Sequence, residues 1–413
     1  MNARLVLLAV GLVAAVCGLL VVHARRLDEA VRNPAFVRFV RRPGQRNRVA
    51  KAKMPDHGCA VDRFGAPLSL AEPGSTFQHV LDDLSLAADG EPVRLAIDAD
   101  LQAVATDALA GRAGAVVALE PTTGRIRVLV SSPAAASLNR ALRGLYPPGS
   151  TFKVFMAAAA LTDGLDPVFN CPAAGYRSAR GTKPIRDVEA YAAERRGRTW
   201  KGFGRLNMDA ALVHSSNVYF AQLGVALGPD RYGRAVEKSR LREGVTVLPA
   251  RSISLVSADC AIPDGLKSAQ LAPVALGQGT LQLTPLAVAM MTAAVANDGV
   301  LLEPTLLETA RPGLRARPFS FAAAARVKRM MRDVVVRGTG RACELSGLDV
   351  CGKTGTAQTG RGKDHAWFTC FAPAKAPRLV VTVVVEQGGF GATAALPVAR
   401  QILEAAERQG YFQ

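Results

Sequence analysis

Apolar and polar positions follow two periodicities along this chain, one typical of β-strands and one typical of α-helices. Residues 114–133, GAVVALEPTTGRIRVLVSSP, contain two alternating apolar runs on either side of a Thr-Gly turn, which predicts a β-hairpin. Three more strand-like runs follow near the C-terminus. They are DVCGKTGTAQ, AWFTCFAP and RLVVTVVVEQ.

Helical signals occupy most of the chain between the hairpin and these strands, and one more follows them. GSTFKVFMAAAALTDG is bounded by Gly149 and Gly164, and MDAALVHSSNVYFAQLGVALG predicts two helices broken near Ser215. PLAVAMMTAAVANDG and the terminal PVARQILEAAERQG predict two further helices. The order of hairpin, helices, three strands and final helix predicts an α+β domain, in which helices flank an antiparallel sheet.

The N-terminal part has a different pattern. Leu5–Val22 is an uncharged apolar run of 18 residues, long enough to cross a bilayer as one transmembrane helix. A cleaved signal peptide ending near Ala24 is the alternative. The stretch from Arg25 to Lys53 is strongly basic, and the positive-inside rule would keep it in the cytoplasm. Long domains translocate largely regardless of charge, so the orientation stays open on charge alone.

These changes in hydrophobic pattern and charge divide the chain into three parts. We expect a transmembrane anchor at 1–25, a basic juxtamembrane segment and linker at 26–93, and a folded domain at 94–413. The linker contains one short helical pattern, Thr76–Leu86.

Composition and charge narrow the class of protein. The chain has 413 residues, of which 49% are hydrophobic, so it can bury a substantial core. Its net charge of +17 suits an anionic surface. The basic residues are dispersed and no zinc finger, basic zipper or ribonucleoprotein motif is present, which favours a membrane or wall surface over nucleic acid.

Seven cysteines are present, one of them within the apolar run. None has the CxxC spacing of a zinc site, so no metal centre is predicted. The other six fit either disulfides outside the cytoplasm or buried free thiols, and sequence alone leaves both open.

The first candidate for chemistry is YPPGSTFKVF, where Lys153 interrupts an apolar, Ala-rich helix three residues after Ser150. This spacing places both side chains on one helix face. A serine needs a base to take its proton, and burial would lower the pKa of a lysine enough to serve. The helix N-terminus also offers free backbone N–H groups to an oxyanion. Alone, the pattern equally fits an N-capping serine and a snorkelling lysine.

Two later stretches favour the catalytic interpretation of Ser150 and Lys153 over the structural one. HSSN contains Ser215 and Asn217 at a helix break, and GKTGTA contains Lys353 and its neighbours 354–356 at the start of a strand. Each alone fits a helix cap or a surface turn. The order S-x-x-K, S-x-N, K-T-G is improbable by chance, at roughly one in a hundred or less.

With these motifs the chain from about Arg94 resembles the penicillin-binding serine acyltransferases. The resemblance extends to SSNVYFAQLG, LGQGTLQLTPLAVAMMTAAVANDG, RGTG and HAWFTCFAP, while VDRFGAPLS resembles an element that follows the anchor of class B members. The implied fold is that of penicillin-binding transpeptidases and serine β-lactamases. Only about 30 residues separate Gly65 from Arg94, which implies a short form of a class B penicillin-binding protein without the usual pedestal domain.

The resemblance implies a role for each catalytic residue. Ser150 attacks the penultimate D-Ala of a stem peptide and Lys153 takes its proton. Ser215 relays a proton to the leaving nitrogen, and Asn217 holds Lys153 and the substrate. Lys353 helps to keep Lys153 neutral.

It also implies the binding groups. Lys353, Thr354 and Thr356 receive the terminal carboxylate, Gly355 gives the substrate backbone close approach, and the backbone N–H groups of Ser150 and Thr356 form the oxyanion hole. No cofactor or metal is implied.

Partners and location follow from the same resemblance. The implied partners are peptidoglycan stem peptides, β-lactams as covalent inhibitors, the cell membrane and a polytopic membrane glycan polymerase, without nucleic acid. The implied location is the bacterial inner membrane, single-pass, with the catalytic domain on the outer or periplasmic side.

Other functions stay open. A D,D-carboxypeptidase or a class D β-lactamase-like hydrolase shares the acylation step, and a β-lactam sensor or scaffold would lack turnover. Asn217 favours the transpeptidase over class D, where an apolar residue is usual. A Ser-His-Asp hydrolase is disfavoured because G-x-S-x-G is absent and the five histidines are scattered. For the Arg-rich segment Tyr176–Arg205 the sequence favours a solvated surface, with a rim of the cleft as the alternative. We expect His365 to rim the cleft.

Overall fold

A computed structural model describes residues 60–64, 93–133, 138–249, 254–360 and 362–413. The expected anchor at 1–25, most of the 26–93 segment and the Thr76–Leu86 pattern lie outside the described residues. Within the described ranges, no helix is both long and apolar enough to cross a membrane.

The described elements follow in chain order. The strands are β1 Ala60–Val61, β2 Val93–Arg94, β3 Gly114–Leu119, β4 Ile126–Ser132, β5 Phe169–Pro172, β6 Gly202–Leu206, β7 Thr246–Pro249, β8 Ser254–Val256, β9 Leu301–Leu302, β10 Leu314–Ala316, β11 Cys351–Ala357, β12 His365–Ala372 and β13 Leu379–Val385. The helices are α1 Ala99–Leu109, α2 Arg140–Arg143, α3 Phe152–Thr162, α4 Val188–Arg195, α5 Met208–Val213, α6 Asn217–Ser239, α7 Leu271–Ala275, α8 Pro285–Ala296, α9 Phe321–Arg337, α10 Gly391–Ala394 and α11 Leu396–Arg408. Short 3₁₀ turns lie at Gly149–Thr151, Ser268–Gln270 and Arg341–Cys343.

A five-stranded antiparallel sheet in the order β11-β12-β13-β3-β4 forms the centre of the domain. The predicted hairpin is β3 and β4, and the three predicted C-terminal strands are β11, β12 and β13. Every residue of β3, β4 and β13 is buried. Both faces of these strands are therefore covered, and the sequences of β3 and β13 are almost continuously apolar.

Successive residues of β3 contribute to two different hydrophobic cores. Ala115 and Val117 belong to one core with residues of α3, α6 and α8, while Val116 and Ala118 belong to the other with residues of α1 and α11. This alternation follows from the period of two in a strand. The expectation of an antiparallel sheet flanked by helices is confirmed.

Several helices of the described ranges were not among the sequence predictions, and two of these are longer than eight residues. One is α1, and the other is the 17-residue α9, FAAAARVKRMMRDVVVR. The buried positions of α9 include Val327, Met330 and Val334, at the three- and four-residue spacing of an amphipathic helix. The helix packs against β11 and α3 and so supports two of the motif-bearing elements.

The five cysteines of the described ranges are free and buried, which matches the buried-thiol alternative for them. Cys17 and Cys59 lie outside the described residues. The five are Cys171, Cys260, Cys343, Cys351 and Cys370.

Two glycines bring distant backbone segments into direct contact beside Ser150. Gly149 has φ +54°, and its N–H donates to Gly277 O at 2.9 Å. A Cβ on Gly277, which has φ +72°, would lie 2.0 Å from Gly149 O, and one on Gly149 would lie 2.5 Å from Thr356 O. Only glycine fits at both positions, so the turn before Ser150 is fixed between the loop after α7 and strand β11.

Gly277→Ala should therefore destabilise the domain by more than the usual penalty of a left-handed alanine. Gly164→Ala is the matched control, because Gly164 also has a positive φ (+73°) but has open space where a Cβ would lie. We expect about 1–2 kcal/mol for the control and roughly 1–3 kcal/mol more for Gly277→Ala, measured by denaturant unfolding. Equal losses in the two variants would contradict the close-contact account.

Candidate active site

Ser150 lies in the 3₁₀ turn that leads into α3, directly after two prolines and Gly149. Its side chain is half-buried and lines a cavity of about 640 Å³. The Ser150 hydroxyl makes no hydrogen bond with any residue of the described ranges, so it faces the cavity uncommitted. The first N–H groups of the turn lie at the same helix start, where they lack intrahelical acceptors.

Lys153 is fully buried one turn further along α3. Its Nζ donates to Ser215 O at 2.6 Å and to Asn217 Oδ1 at 2.8 Å, and it lies 3.4 Å from Ser215 Oγ. The lysine on the apolar helix face thus reaches acceptors that a different segment brings to it.

Lys353 on β11 approaches the same serine from the sheet. It is also fully buried, and its Nζ donates to Ser215 Oγ at 2.8 Å and to Thr354 O at 2.9 Å. Ser215 is therefore the common contact of two buried amines.

Burial lowers the pKa of both amines. For Lys153 the pKa falls to about 7 because the site is dry, while the carboxylates of Asp187 and Glu189 act in the opposite direction. For Lys353 burial lowers the pKa well below its usual range, and repulsion from Lys153 lowers it further. Two ammonium groups are thus unfavourable in this site, and an uncharged amine near neutral pH is what a general base requires.

Ser215 occupies the break between α5 and α6 with φ +55°, a left-handed conformation that is uncommon for a residue with a side chain. Such a conformation costs about 1–3 kcal/mol and persists only where neighbouring contacts impose it. Here the amines of Lys153 and Lys353 bond its carbonyl and its hydroxyl.

The remaining predicted residues lie on the cavity wall. Thr354, Gly355 and Thr356 from β11 line the cavity together with Ser150 and Asn217. The structure thus brings all the motif residues to one place, with the two lysines beneath the wall and the others facing the open space. Within the described ranges, no group of three or more His, Cys, Asp or Glu side chains is arranged to hold a metal ion.

Among the site residues missed from the sequence, three act directly on the motif residues. Thr339 lines the cavity and its Oγ1 lies 2.6 Å from Thr354 Oγ1. It belongs to RGTG, so a signal was available in that stretch. Asp187 and Glu189 carry the two carboxylates that act on Lys153, and their spacing to the other motifs gave no signal.

The central part of Tyr176–Arg205 matches the alternative interpretation, a rim of the cleft. Helix α4 lies in this segment, and Val188, Glu189 and Tyr191 line the cavity beside Ser150. The side chains of Val188 and Tyr191 are about half exposed, so this stretch is both solvent-accessible and part of the cavity wall. His365 lies beside the cavity-lining residue Asp364, and its ring contacts Tyr146 edge-on at 5.3 Å between centroids.

Comparisons with known proteins agree with this geometry. Residues 114–404 match the family model described as the penicillin binding protein transpeptidase domain. The peptidoglycan D,D-transpeptidase PbpA of Mycobacterium tuberculosis is 32% identical over 341 residues, which cover 71% of this chain and 67% of that protein. MrdA of Acinetobacter baumannii, also named a peptidoglycan D,D-transpeptidase, is 32% identical over 366 residues, 74% of this chain and 52% of that protein.

A solved structure gives the same result. The ceftriaxone acyl-enzyme of penicillin-binding protein A from M. tuberculosis superposes with a TM-score of 0.69 at 29% identity, covering 80% of this chain and 83% of that one. The residues 114–404 that match the family model include every motif residue from Ser150 to Thr356. This chain therefore belongs to the penicillin-binding protein transpeptidase family.

Proposed function

We propose that this chain is a serine D-Ala-D-Ala transpeptidase that cross-links peptidoglycan stem peptides through an acyl-enzyme on Ser150. The observation that carries the proposal is the convergence of Lys153, Ser215 and Lys353 beside a cavity that holds an uncommitted serine hydroxyl. The names of the relatives PbpA and MrdA support the same substrate class.

In the proposed acylation, Ser150 Oγ attacks the carbonyl of the penultimate D-Ala while its proton passes to neutral Lys153. The C–N bond to the terminal D-Ala then breaks, and Ser215 relays a proton to the departing amine. Ser215 is suited to this relay because its hydroxyl lies within reach of both amines, at 3.4 Å from Lys153 Nζ and 2.8 Å from Lys353 Nζ. In the second half, an amine of a neighbouring stem peptide attacks the ester and releases the serine.

The sheet side of the cavity would bind and polarise the substrate. Thr354 and Thr356, which line the cavity, would receive the terminal carboxylate together with the buried Lys353. The backbone N–H groups of Ser150 and Thr356 would form the oxyanion hole, where each donor contributes about 3–4 kcal/mol in other acyl-transfer enzymes. The contact of Gly149 with Thr356 O supports this pairing, because it brings the two backbone segments together.

The hydrolase alternatives share this acylation and differ in how the acyl-enzyme decays. The engagement of Asn217 Oδ1 with Lys153 supports the transpeptidase over a class D-like hydrolase, since an apolar residue there would leave the amine one acceptor short.

We further propose the localisation and partners implied by the sequence. The apolar run at 5–22 would anchor the chain in the inner membrane as a single span, with the described domain on the periplasmic side. A polytopic membrane glycan polymerase would supply the strands that are cross-linked. The basic 25–53 segment would contact anionic lipid.

Labelling with a fluorescent penicillin tests the acyl-enzyme. We expect a long-lived adduct on Ser150 of the wild type and none on Ser150→Ala, with the attachment site identified by mass spectrometry. Rapid decay with release of hydrolysed drug would favour the β-lactamase alternative. An adduct that persists in Ser150→Ala would exclude Ser150 as the nucleophile.

The rate of acylation should depend on pH through Lys153. Its pKa of about 7 means that the ammonium form dominates below neutral pH and the basic amine above it. The second-order rate constant for penicillin should therefore rise about tenfold per pH unit below the pKa and level off above it. A rate that stays flat from about pH 5.5 to 8.5 would contradict the role of Lys153 as the base.

Membrane anchoring is tested by fractionating cells that express the full chain or residues 26–413. The full chain should sediment with membranes and resist extraction with high salt, while the shortened chain should be released by salt because only electrostatic contacts remain. Recovery of both chains in the soluble fraction would contradict the anchor.

A further inference from the structure

Asp187 is a buried carboxylate outside the three motifs, 1% exposed. It lies just before α4, yet its contacts are at the start of α6. Oδ1 accepts hydrogen bonds from the Val218 N–H at 3.0 Å, from Ser216 Oγ at 3.0 Å and from the Asn217 N–H. Oδ2 lies 3.2 Å from Ser216 Oγ.

These contacts satisfy donors that a helix start leaves without partners. The first N–H groups of an α-helix have no intrahelical acceptor, and a negative charge is favourable beside them. Ser216 caps α6 from within the chain by accepting from the Tyr219 N–H. Asp187 adds a second cap from a segment some thirty positions away, so it ties α6 to the start of α4.

The tie extends to the side chain of Asn217. Its Nδ2 donates to Arg186 O at 3.0 Å, while its Oδ1 accepts from Lys153 Nζ at 2.8 Å. The backbone N–H and the amide of Asn217 are thus both held by residues 186 and 187. As a result, Oδ1 is aimed at the amine of Lys153.

The same contacts lie next to the left-handed Ser215. On the α5 side, the N–H groups of Ser215 and Ser216 donate to Leu212 O and Ala211 O. On the α6 side, Asp187 binds the two residues that follow Ser216. Removal of these bonds would free the α6 side of the turn to relax toward a less costly conformation.

We propose that Asp187 is a positioning residue for acyl transfer, whose buried carboxylate holds the Ser215–Asn217 turn in the conformation that clamps Lys153. Asp187 acts through that turn and does not face the cavity. The inference rests on the proposed function, since it concerns the geometry of the same reaction.

The hydrogen bonds and the charge of Asp187 can be separated. Asparagine retains an Oδ1 that can accept from Ser216, Asn217 and Val218, so Asp187→Asn removes the charge and keeps the cap. Asp187→Ala removes both the charge and the hydrogen-bond acceptor. Glu189→Gln is a charge-only comparison. Glu189 lies in the same segment and its charge acts on Lys153, but it makes no hydrogen bond to the turn in the described ranges.

The charged groups that face Lys153 are Asp187 and Glu189 from the α4 segment and Lys353 from β11. Either carboxylate raises the pKa of Lys153, so loss of its charge lowers that pKa. The acid limb of the rate profile should then move to lower pH in Asp187→Asn and in Glu189→Gln. This shift reports the lost charge near Lys153, whereas the rate on the alkaline plateau reports the hydrogen bonds to the turn.

The experiment measures the second-order rate constant of acylation by fluorescent penicillin against pH for the wild type and the three variants. Asp187→Ala should lose about 100-fold on the alkaline plateau, the cost of misplacing reacting groups by roughly 1 Å. Asp187→Asn should stay within about fivefold of wild type there, since one hydrogen-bond acceptor of the same shape is kept. Rescue of the plateau rate by asparagine but not by alanine supports positioning through hydrogen bonds.

Two outcomes overturn the proposal: an Asp187→Ala variant that acylates at the wild-type rate, or an Asp187→Asn variant that falls as far as the alanine. Amide hydrogen exchange of the full chain provides a readout that does not need acylation. Asp187→Ala should exchange faster at Asn217 and Val218, and Asp187→Asn should not. If the wild type itself is not acylated, the proposed function fails while the exchange pattern still decides whether Asp187 holds the turn.

Discussion

The burial of two lysine amines in one place is the constraint on which this site depends. Moving an ammonium group out of water costs several kcal/mol even after relaxation, and two neighbouring ammonium groups repel. The fold meets this cost with acceptors from the α5–α6 turn and β11, above all Ser215. The helix, the turn and the strand must each place its groups within hydrogen-bonding distance of the others. Because burial lowers the pKa of Lys153, a large fraction of its amine is uncharged near neutral pH and can accept a proton.

Local sequence patterns predicted many of the helices and strands. Which residues meet at the site is determined by tertiary contacts. The hairpin, the central helices and the C-terminal strands follow from periodicity, and spacing alone places Ser150 and Lys153 on one helix face. Nothing local connects Lys353 with Ser215, because the sheet brings them together across 138 positions. The contact of Asp187 with the start of α6 is equally non-local, and a lone aspartate beside a short helix carries no distinctive pattern.

Charge at the site differs from charge over the whole chain. The chain carries a net charge of +17, which suits an anionic wall or lipid surface. The cavity nevertheless has the carboxylates of Glu189, Glu194 and Asp364 on its wall. Glu194 is paired with Arg186 at 2.6 Å, so its charge is largely compensated. Arg195 lies on the same wall, so the cavity carries both signs of charge, and the net charge of the whole chain does not describe the site.

The backbone contact of Gly149, Gly277 and Thr356 bears on how the domain folds. These three positions are separated by 128 and 79 residues along the chain, yet they touch without intervening side chains. Contacts between such distant positions are costly in loop entropy and form late in folding. A nascent or partly folded chain therefore has the serine but not its surroundings. Reactivity toward penicillin is then a property of finished molecules, and the covalent label counts the fraction of a preparation that has completed folding.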